Sequence, residues 1–271
     1  MEYATKLIAT IRAGSWSRRK GSAGLAVMAI VALVAPTLAA TPVVPTVTVA
    51  AGQGNTKAYL SSNGTTVVNI NTPNAAGLSH NYYTQYNVGS NGLVLNNDAS
   101  SQLTVQSQLA GQLFANLNLI NPASVILNEV VSNNRSTLAG FTEVAGTKAD
   151  VIVANPYGIT CTGCGFINTD HATLTTGTPV VGSNGALTGF NVQQGDILVN
   201  GDGLNGSNQL ALDLVTRSVE LQAPINTQDL GIVAGLNTWN YASRSVTGST
   251  SGTGAAPAYA IDSALVGGMY A

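Results

Sequence analysis

The sequence predicts an all-β chain: a right-handed parallel β-helix, a single-stranded solenoid with an N-terminal cap and extra-helical β-hairpins, preceded by a helical signal peptide. Three observations lead there. Short runs of β-branched and aliphatic residues recur along the chain, most of them closed by Asn or another turn-forming residue, as strands are. Several of these runs start about twenty to thirty residues apart, the range in which stacked repeats announce solenoids. Charged residues make up 8% of a chain that is 45% hydrophobic and holds 30 glycines, whereas about 25% charged is usual. Stacked uncharged amides and hydroxyls can neighbour their own kind without repulsion, so this composition suits extracellular solenoids. A disordered chain would be less apolar.

Three regions follow in order. Residues 1–39 read as an extended signal peptide, with Lys6, Arg12, Arg18, Arg19 and Lys20 ahead of an apolar stretch from Leu25 to Val34. That stretch is about ten residues, half of what spans a bilayer. Pro36 ends it, and cleavage is expected near Ala39 and Ala40, which sends the mature chain out of the cytoplasm. Paired arginines at Arg18 and Arg19 also allow a twin-arginine reading, although Gly21 and Ser22 stand where such signals carry bulky apolar residues. After cleavage, five basic residues remain against eleven carboxylates, a formal charge of −6. Nucleic acid needs a clustered basic face and finds none here.

Residues 40–242 read as the β-helix domain. Its strand candidates are Val67-Val68-Asn69-Ile70, Leu93 to Asn96, Val125 to Asn128, Val151 to Ala154, Ile197 to Asn200, Leu212 to Leu221 and Leu230 to Ala234. Asn tolerates left-handed backbone angles and hydrogen-bonds its own turn, so stacked turns would let amides pair between rungs. Asn63-Gly64, Asn91-Gly92 and Asn184-Gly185 read as hairpin loops or rung corners. Ala99 to Leu113 is the best helix candidate, or else an irregular loop crossing the solenoid. Residues 243–271 open with a Ser/Thr/Gly-rich, loosely ordered tail and regain order at Tyr259 to Asp262.

Candidate chemistry is sparse. Cys161 and Cys164 are the only cysteines, and export favours their oxidation to a disulfide. Zinc is the rival, but a structural site wants four ligands and only His80 and His171 are left to supply nitrogen. Redox catalysis by a Cys-x-x-Cys pair expects a βαβ setting that this strand-rich chain lacks. Glu143, Asp150, Asp170, Asp196, Asp202 and Asp213 are available acids, yet nothing in their spacing selects a pair for glycoside hydrolysis. The reading is therefore not an enzyme, with no cofactor and no metal.

The segment Asp150 to Thr169, DVIVANPYGITCTGCGFINT, carries a resemblance. It resembles the N-terminal secretion domain of the filamentous haemagglutinin and contact-dependent-inhibition exoproteins, which use two-partner secretion. That family has Asn-Pro-Asn-Gly-Ile where this chain has Asn155, Pro156, Tyr157, Gly158 and Ile159, so Tyr157 replaces the second Asn. Many members continue with the same Cys-x-x-Cys-Gly-Phe-Ile-Asn-Thr. Turn chemistry alone makes Asn155 to Gly158 a tight corner, with Pro second and Gly fourth. A second family motif, Asn-Pro-Asn-Leu, falls on Asn116, Leu117, Asn118 and Leu119, where Leu117 replaces Pro; read without the family, this is an ordinary loop. The closing residues Ala260 to Ala271 are similar to those that lead large members into a long fibre.

The resemblance covers Val47 to Ala271 and implies a secretion address and folding nucleus. Its partner would be a cognate outer-membrane β-barrel transporter whose periplasmic POTRA modules capture the unfolded chain. The two motifs would serve recognition and folding. Receptors on host cells or bacteria are further expected partners, and the location would be the periplasm in transit, then the cell surface or medium. A stand-alone adhesin or biofilm-matrix solenoid is the alternative, as is a shortened remnant of a larger toxin or haemagglutinin, since the chain stops at Ala271.

Overall fold

The structure, a computed structural model, describes residues 47–100, 102–263 and 269–270. The signal-peptide expectation for residues 1–39 lies outside them. All regular structure among the described residues is strand, and the chain winds as a parallel β-helix with three faces. The first face stacks Leu78–Tyr86, Val125–Val130, Asp150–Ala154, His171–Thr175, Ala211–Thr216 and Leu230–Ala234, each parallel to the next. The second stacks Ser136–Leu138, the start of Ile159–Ile167, the start of Asp196–Gly206, Ser218–Leu221 and Ile261–Ser263. The third stacks Thr66–Asn69, Leu93–Asn97, Phe141–Gly146, the ends of the same two long strands, Ile225–Thr227 and Met269–Tyr270. Ile159–Ile167 and Asp196–Gly206 belong to two faces because each bends around a corner in mid-strand.

The apolar runs of the sequence are continuous, not alternating, because the strands are covered on both sides. In Asp150–Ala154, Val151 and Val153 enter the solenoid interior, while Ile152 and Ala154 join an outer cluster with Phe190, Val192 and Trp239. That outer layer is a four-stranded antiparallel sheet of Thr178–Val181, Leu187–Val192, Asn237–Asn240 and Ser245–Gly248, made from excursions at the corner between the first and second faces. On the third face, Val68, Leu93 and Leu95 point inward while Val67 and Val94 meet Ala110 and Leu113 outside. The covering piece there is the antiparallel hairpin Thr104–Ser107 with Gly111–Phe114.

This hairpin corrects the helix candidate at Ala99 to Leu113. Thr104 and Val105 favour strand, Gly111 turns at φ 73°, and Glu143 fixes the loop. The buried Glu143 carboxylate accepts bonds from Ser107 Oγ (2.7 Å), Gln108 N (2.8 Å) and Leu109 N (2.9 Å). Leu212 to Leu221, expected as one run, is two strands on two faces, parted at Arg217, whose amide turns to Thr176 Oγ1. Asn63-Gly64 closes the hairpin of Lys57–Leu60 with Thr66–Asn69, and Asn184-Gly185 closes that of Thr178–Val181 with Leu187–Val192. Asn91-Gly92 is a rung corner, with Gly92 N donating to Gly89 O. Amides do pair between rungs: Asn96 Nδ2 donates to Asn69 Oδ1 at 2.9 Å, and the two residues are in register. At the N-terminal end Val47–Val49 pairs antiparallel with Leu78–Tyr86 and caps the core with Val47.

Candidate recognition surface

Asn155 leaves the first face at the end of Asp150–Ala154 and opens the turn to the second. Its Oδ1 accepts from Tyr157 N at 2.9 Å, and its carbonyl accepts from Gly158 N at 3.0 Å. One Asn side chain thus imitates a backbone turn while the main chain closes a β-turn around it. The fully buried amide Nδ2 reaches the preceding rung, donating to Asn134 O (2.9 Å) and Ser136 Oγ (3.0 Å). Tyr157 sits at the tip, 50% exposed, and Ile159 returns to the core with no exposure. Gly158 has φ 105° and lies beneath the Arg135 guanidinium, so that a Cβ would stand 2.3 Å from Arg135 Nη1.

Arg135 holds this corner across three rungs. It donates to Thr160 Oγ1 (2.8 Å), Ile159 O (2.9 Å) and, with both terminal nitrogens, to the Asp196 carboxylate at 2.9 and 2.7 Å. Bidentate geometry of this kind adds direction as well as energy. Below the turn Gly195, at φ 78°, brings the next rung against Pro156, where a Cβ would meet Pro156 O at 2.5 Å. Arg135 escaped the motif reading, and Asp196 was read only as one of the available acids, because 61 residues separate the two. The one hint was that Arg135 is among five basic residues left after residue 39.

Asn116 builds the same turn at a different corner. Its Oδ1 accepts from Asn118 N (3.1 Å), its carbonyl accepts from Leu119 N (2.9 Å), and its buried Nδ2 donates to Ile70 O and Asn96 O, both at 3.0 Å. Leu117 takes the exposed tip at 95%, Asn118 Nδ2 donates to Asn55 O at 3.0 Å, and Leu119 returns to the core at 8%. The two motifs, unlike in sequence after their first Asn, are one structural device: an Asx turn inside a β-turn, anchored to earlier rungs by its amide.

Cys161 and Cys164 form a disulfide with Cα atoms 5.3 Å apart. It spans the corner between second and third faces, where Gly163 turns at φ 91°, and both residues lie in the core cluster. Asp202 is exposed, and the other remaining candidates have structural partners. His80 pairs with Glu129 at 2.7 Å and stacks on Tyr82; His171 pairs with Asp213 at 2.7 Å and stacks on Tyr241. Asp150 accepts from Tyr241 Oη at 2.7 Å, and Asp170 pairs with Lys148 at 2.8 Å. Burial alone would raise the Asp213 carboxyl, but hydrogen bonds from His171 and Arg244 more than offset it and hold it below the usual carboxylate range. No group of three or more His, Cys, Asp or Glu side chains among the described residues is arranged for a metal ion.

Comparison with known proteins agrees with this architecture. The family model described as the TPS secretion domain matches residues 46–271. The 16S rRNA endonuclease CdiA of Enterobacter cloacae subsp. cloacae is 48% identical over 246 residues, 90% of this chain and 7% of that protein. The tRNA nuclease CdiA of Yersinia mollaretii is 50% identical over 220 residues, 81% of this chain and again 7% of the relative. Among solved structures, the filamentous hemagglutinin secretion domain superposes with a TM-score of 0.75 at 38% identity, covering 82% of this chain and 75% of that one. The chain therefore belongs to the TPS secretion domain family, the secretion-targeting domain of exoproteins of the CdiA and filamentous hemagglutinin type, which are secreted across the outer membrane to the cell surface.

Proposed function

We propose that this chain is captured in the periplasm by the POTRA modules of a cognate outer-membrane β-barrel transporter, and that it then nucleates β-helix folding at the cell surface. The leader of residues 1–39 delivers it by the general secretory route, residues 40–242 form the address, and residues 243–271 are a Ser/Gly-rich tail and the start of the exoprotein repeat region. Its part is targeting and not catalysis; the nuclease named for the relatives is said of proteins of which this chain matches 7%. Host-cell or bacterial receptors would be met by the displayed exoprotein. The observation that carries the reading is the repeated turn: Asn116 and Asn155 each hold a tip residue out to solvent on an amide anchored in earlier rungs. Tips fixed in this way need little ordering when a partner binds, and that saving favours affinity. Rung-by-rung pairing would also bias export without ATP, since burying each apolar rung opposes sliding back.

The test is release of the full chain from cells with and without the transporter. Release should require the partner. Asn155→Ala and Asn116→Ala should each reduce it, while Leu117→Pro, which places proline where a β-turn favours it, should leave it intact. Equal release in the absence of the transporter would end the secretion-address reading.

A further inference from the structure

We propose that Cys161 and Cys164 are the substrate of a protein dithiol–disulfide carrier that acts on the unfolded chain, so that disulfide transfer must precede docking of the Asp196–Gly206 rung. The sulfurs are sealed once that rung is in place. Cys161 is 0% and Cys164 2% exposed, and both side chains lie in the solenoid interior. Cys161 is stacked between Leu138 on the rung before and Val199 on the rung after, and Cys164 faces Leu204. Gly203 O lies 3.2 Å from Cys161 Sγ; an oxidised sulfur has no proton to donate, so this is close packing of the next corner over the disulfide. Gly203 turns there at φ 79°, and a Cβ on it would strike Pro224 O at 2.1 Å, which shows that a further layer closes behind the first.

Thiol–disulfide exchange requires an attacking sulfur to reach one of the two sulfurs. The folded corner leaves no approach for a protein carrier. A thiolate of one cysteine attacks the carrier disulfide and expels one carrier thiolate, giving a mixed disulfide. The second cysteine, deprotonated, attacks the first sulfur and expels the other carrier thiolate. The chain loses two electrons and two protons, and the carrier becomes a dithiol. Only two residues lie between the cysteines, so the closed loop adds little width to a chain that has still to pass a pore. That the step occurs in the periplasm rests on the secretion reading above; that it precedes folding does not.

The full chain is purified oxidised and treated with dithiothreitol, with and without guanidinium, and free thiols are counted by maleimide mass shift. Reduction of the folded chain should be at least about a thousandfold slower than of the unfolded one, the low end of folded-to-unfolded ratios. In the reverse arm, reduced chain refolded without oxidant is given oxidised glutathione and should stay reduced. Rates within about tenfold of the unfolded chain in either arm would overturn the order of events. If the reduced chain does not refold, the reduction arm decides alone. Alkylation trapping in cells lacking the transporter should find the retained chain already oxidised; a reduced periplasmic pool beside oxidised released chain would overturn the assignment of compartment. Transporter-independent release would refute the secretion reading while leaving both glutathione and dithiothreitol results as they stand.

Discussion

Residue by residue, the Asn155 turn divides into positions that shape and a position that displays. Asn155 spends its Nδ2 on the rung before, and its Oδ1 accepts from Tyr157 N, so neither end of the side chain is free for a partner. Gly158 is held by two independent demands, a left-handed φ of 105° and the guanidinium lying over its α-carbon. Tyr157 meets neither demand, being the half-exposed tip. The departure from the family pattern at Tyr157 therefore falls where the fold is indifferent to side-chain identity. Gly158→Ala should cost about 1–3 kcal/mol, as non-Gly residues in strained backbone do. Tyr157→Asn should change stability by no more than about 0.5 kcal/mol, as surface substitutions do. Guanidinium unfolding of both variants checks the contrast; equal losses would mean the tip is part of the frame.

At the level of elements, the extra-helical sheet is held to the first face by an apolar cluster and by one ionic clasp. Arg244, just past Asn237–Asn240, makes two bonds of 2.9 Å to Asp213 and one to Asp229, while Tyr241 from the same turn binds Asp150. Gly231 on the next rung leaves the space that Asp213 occupies; a Cβ there would lie 2.1 Å from Asp213 Oδ1. Asp213 bonds His171 and Arg244, which also meet Asp150 and Asp229, and its folded pKa is lowered: burial opposes this, and the His171 and Arg244 bonds prevail. A lowered folded value stabilises the protein fully above the unfolded value of about 3.9 and is lost as pH falls through the folded one. The thermal midpoint should thus drop on acidification below about pH 4. Asp213→Asn should lower the midpoint at neutral pH and flatten that acid limb; a limb parallel to the parent's would assign acid sensitivity elsewhere. Asp150–Ala154, under this sheet, was legible in sequence because both its faces are apolar, whereas His171–Thr175 beside it was not, since its outward positions are His171, Thr173 and Thr175. Leu78–Tyr86 was not legible either, since its interior positions include Ser79 and Asn81, buried polar residues that bond Asn71 O in the preceding corner and Leu127 O on the next rung. The clasp was invisible for a different reason: Asp213 and Arg244 meet only after an intervening turn of the solenoid, and no local pattern records that.

Across the whole molecule, the three corners carry different loads. The corner from third to first face admits the hairpin Thr104–Ser107 with Gly111–Phe114 and the Asn116 turn; the corner from first to second admits the four-stranded sheet and the Asn155 turn. The corner from second to third stays tight, turned by Gly163 and Gly203 and pinned by the disulfide. Insertions explain why the repeat was visible only in part: Val151 pairs with Ala172 one short turn later, but His171 pairs with Ala211 because the Thr178–Val192 excursion intervenes. A stack in which each rung touches chiefly its neighbours gains stability from pairwise interfaces, and its middle is better protected than its ends. The first described rung is covered by Val47–Val49, whereas Leu230–Ala234 ends the seven-stranded sheet with every residue only half-buried. Native-state amide exchange should therefore be slowest in Asp150–Ala154 and His171–Thr175, which are paired on both sides, and fastest among first-face strands in Leu230–Ala234. Opening should spread inward from that end as guanidinium is added, with the Asn155 corner and its Arg135 bridge among the last parts to exchange. Uniform protection of all six first-face strands would show instead that the solenoid unfolds as one unit, and that the folding bias available for export comes from the whole domain and not from successive rungs.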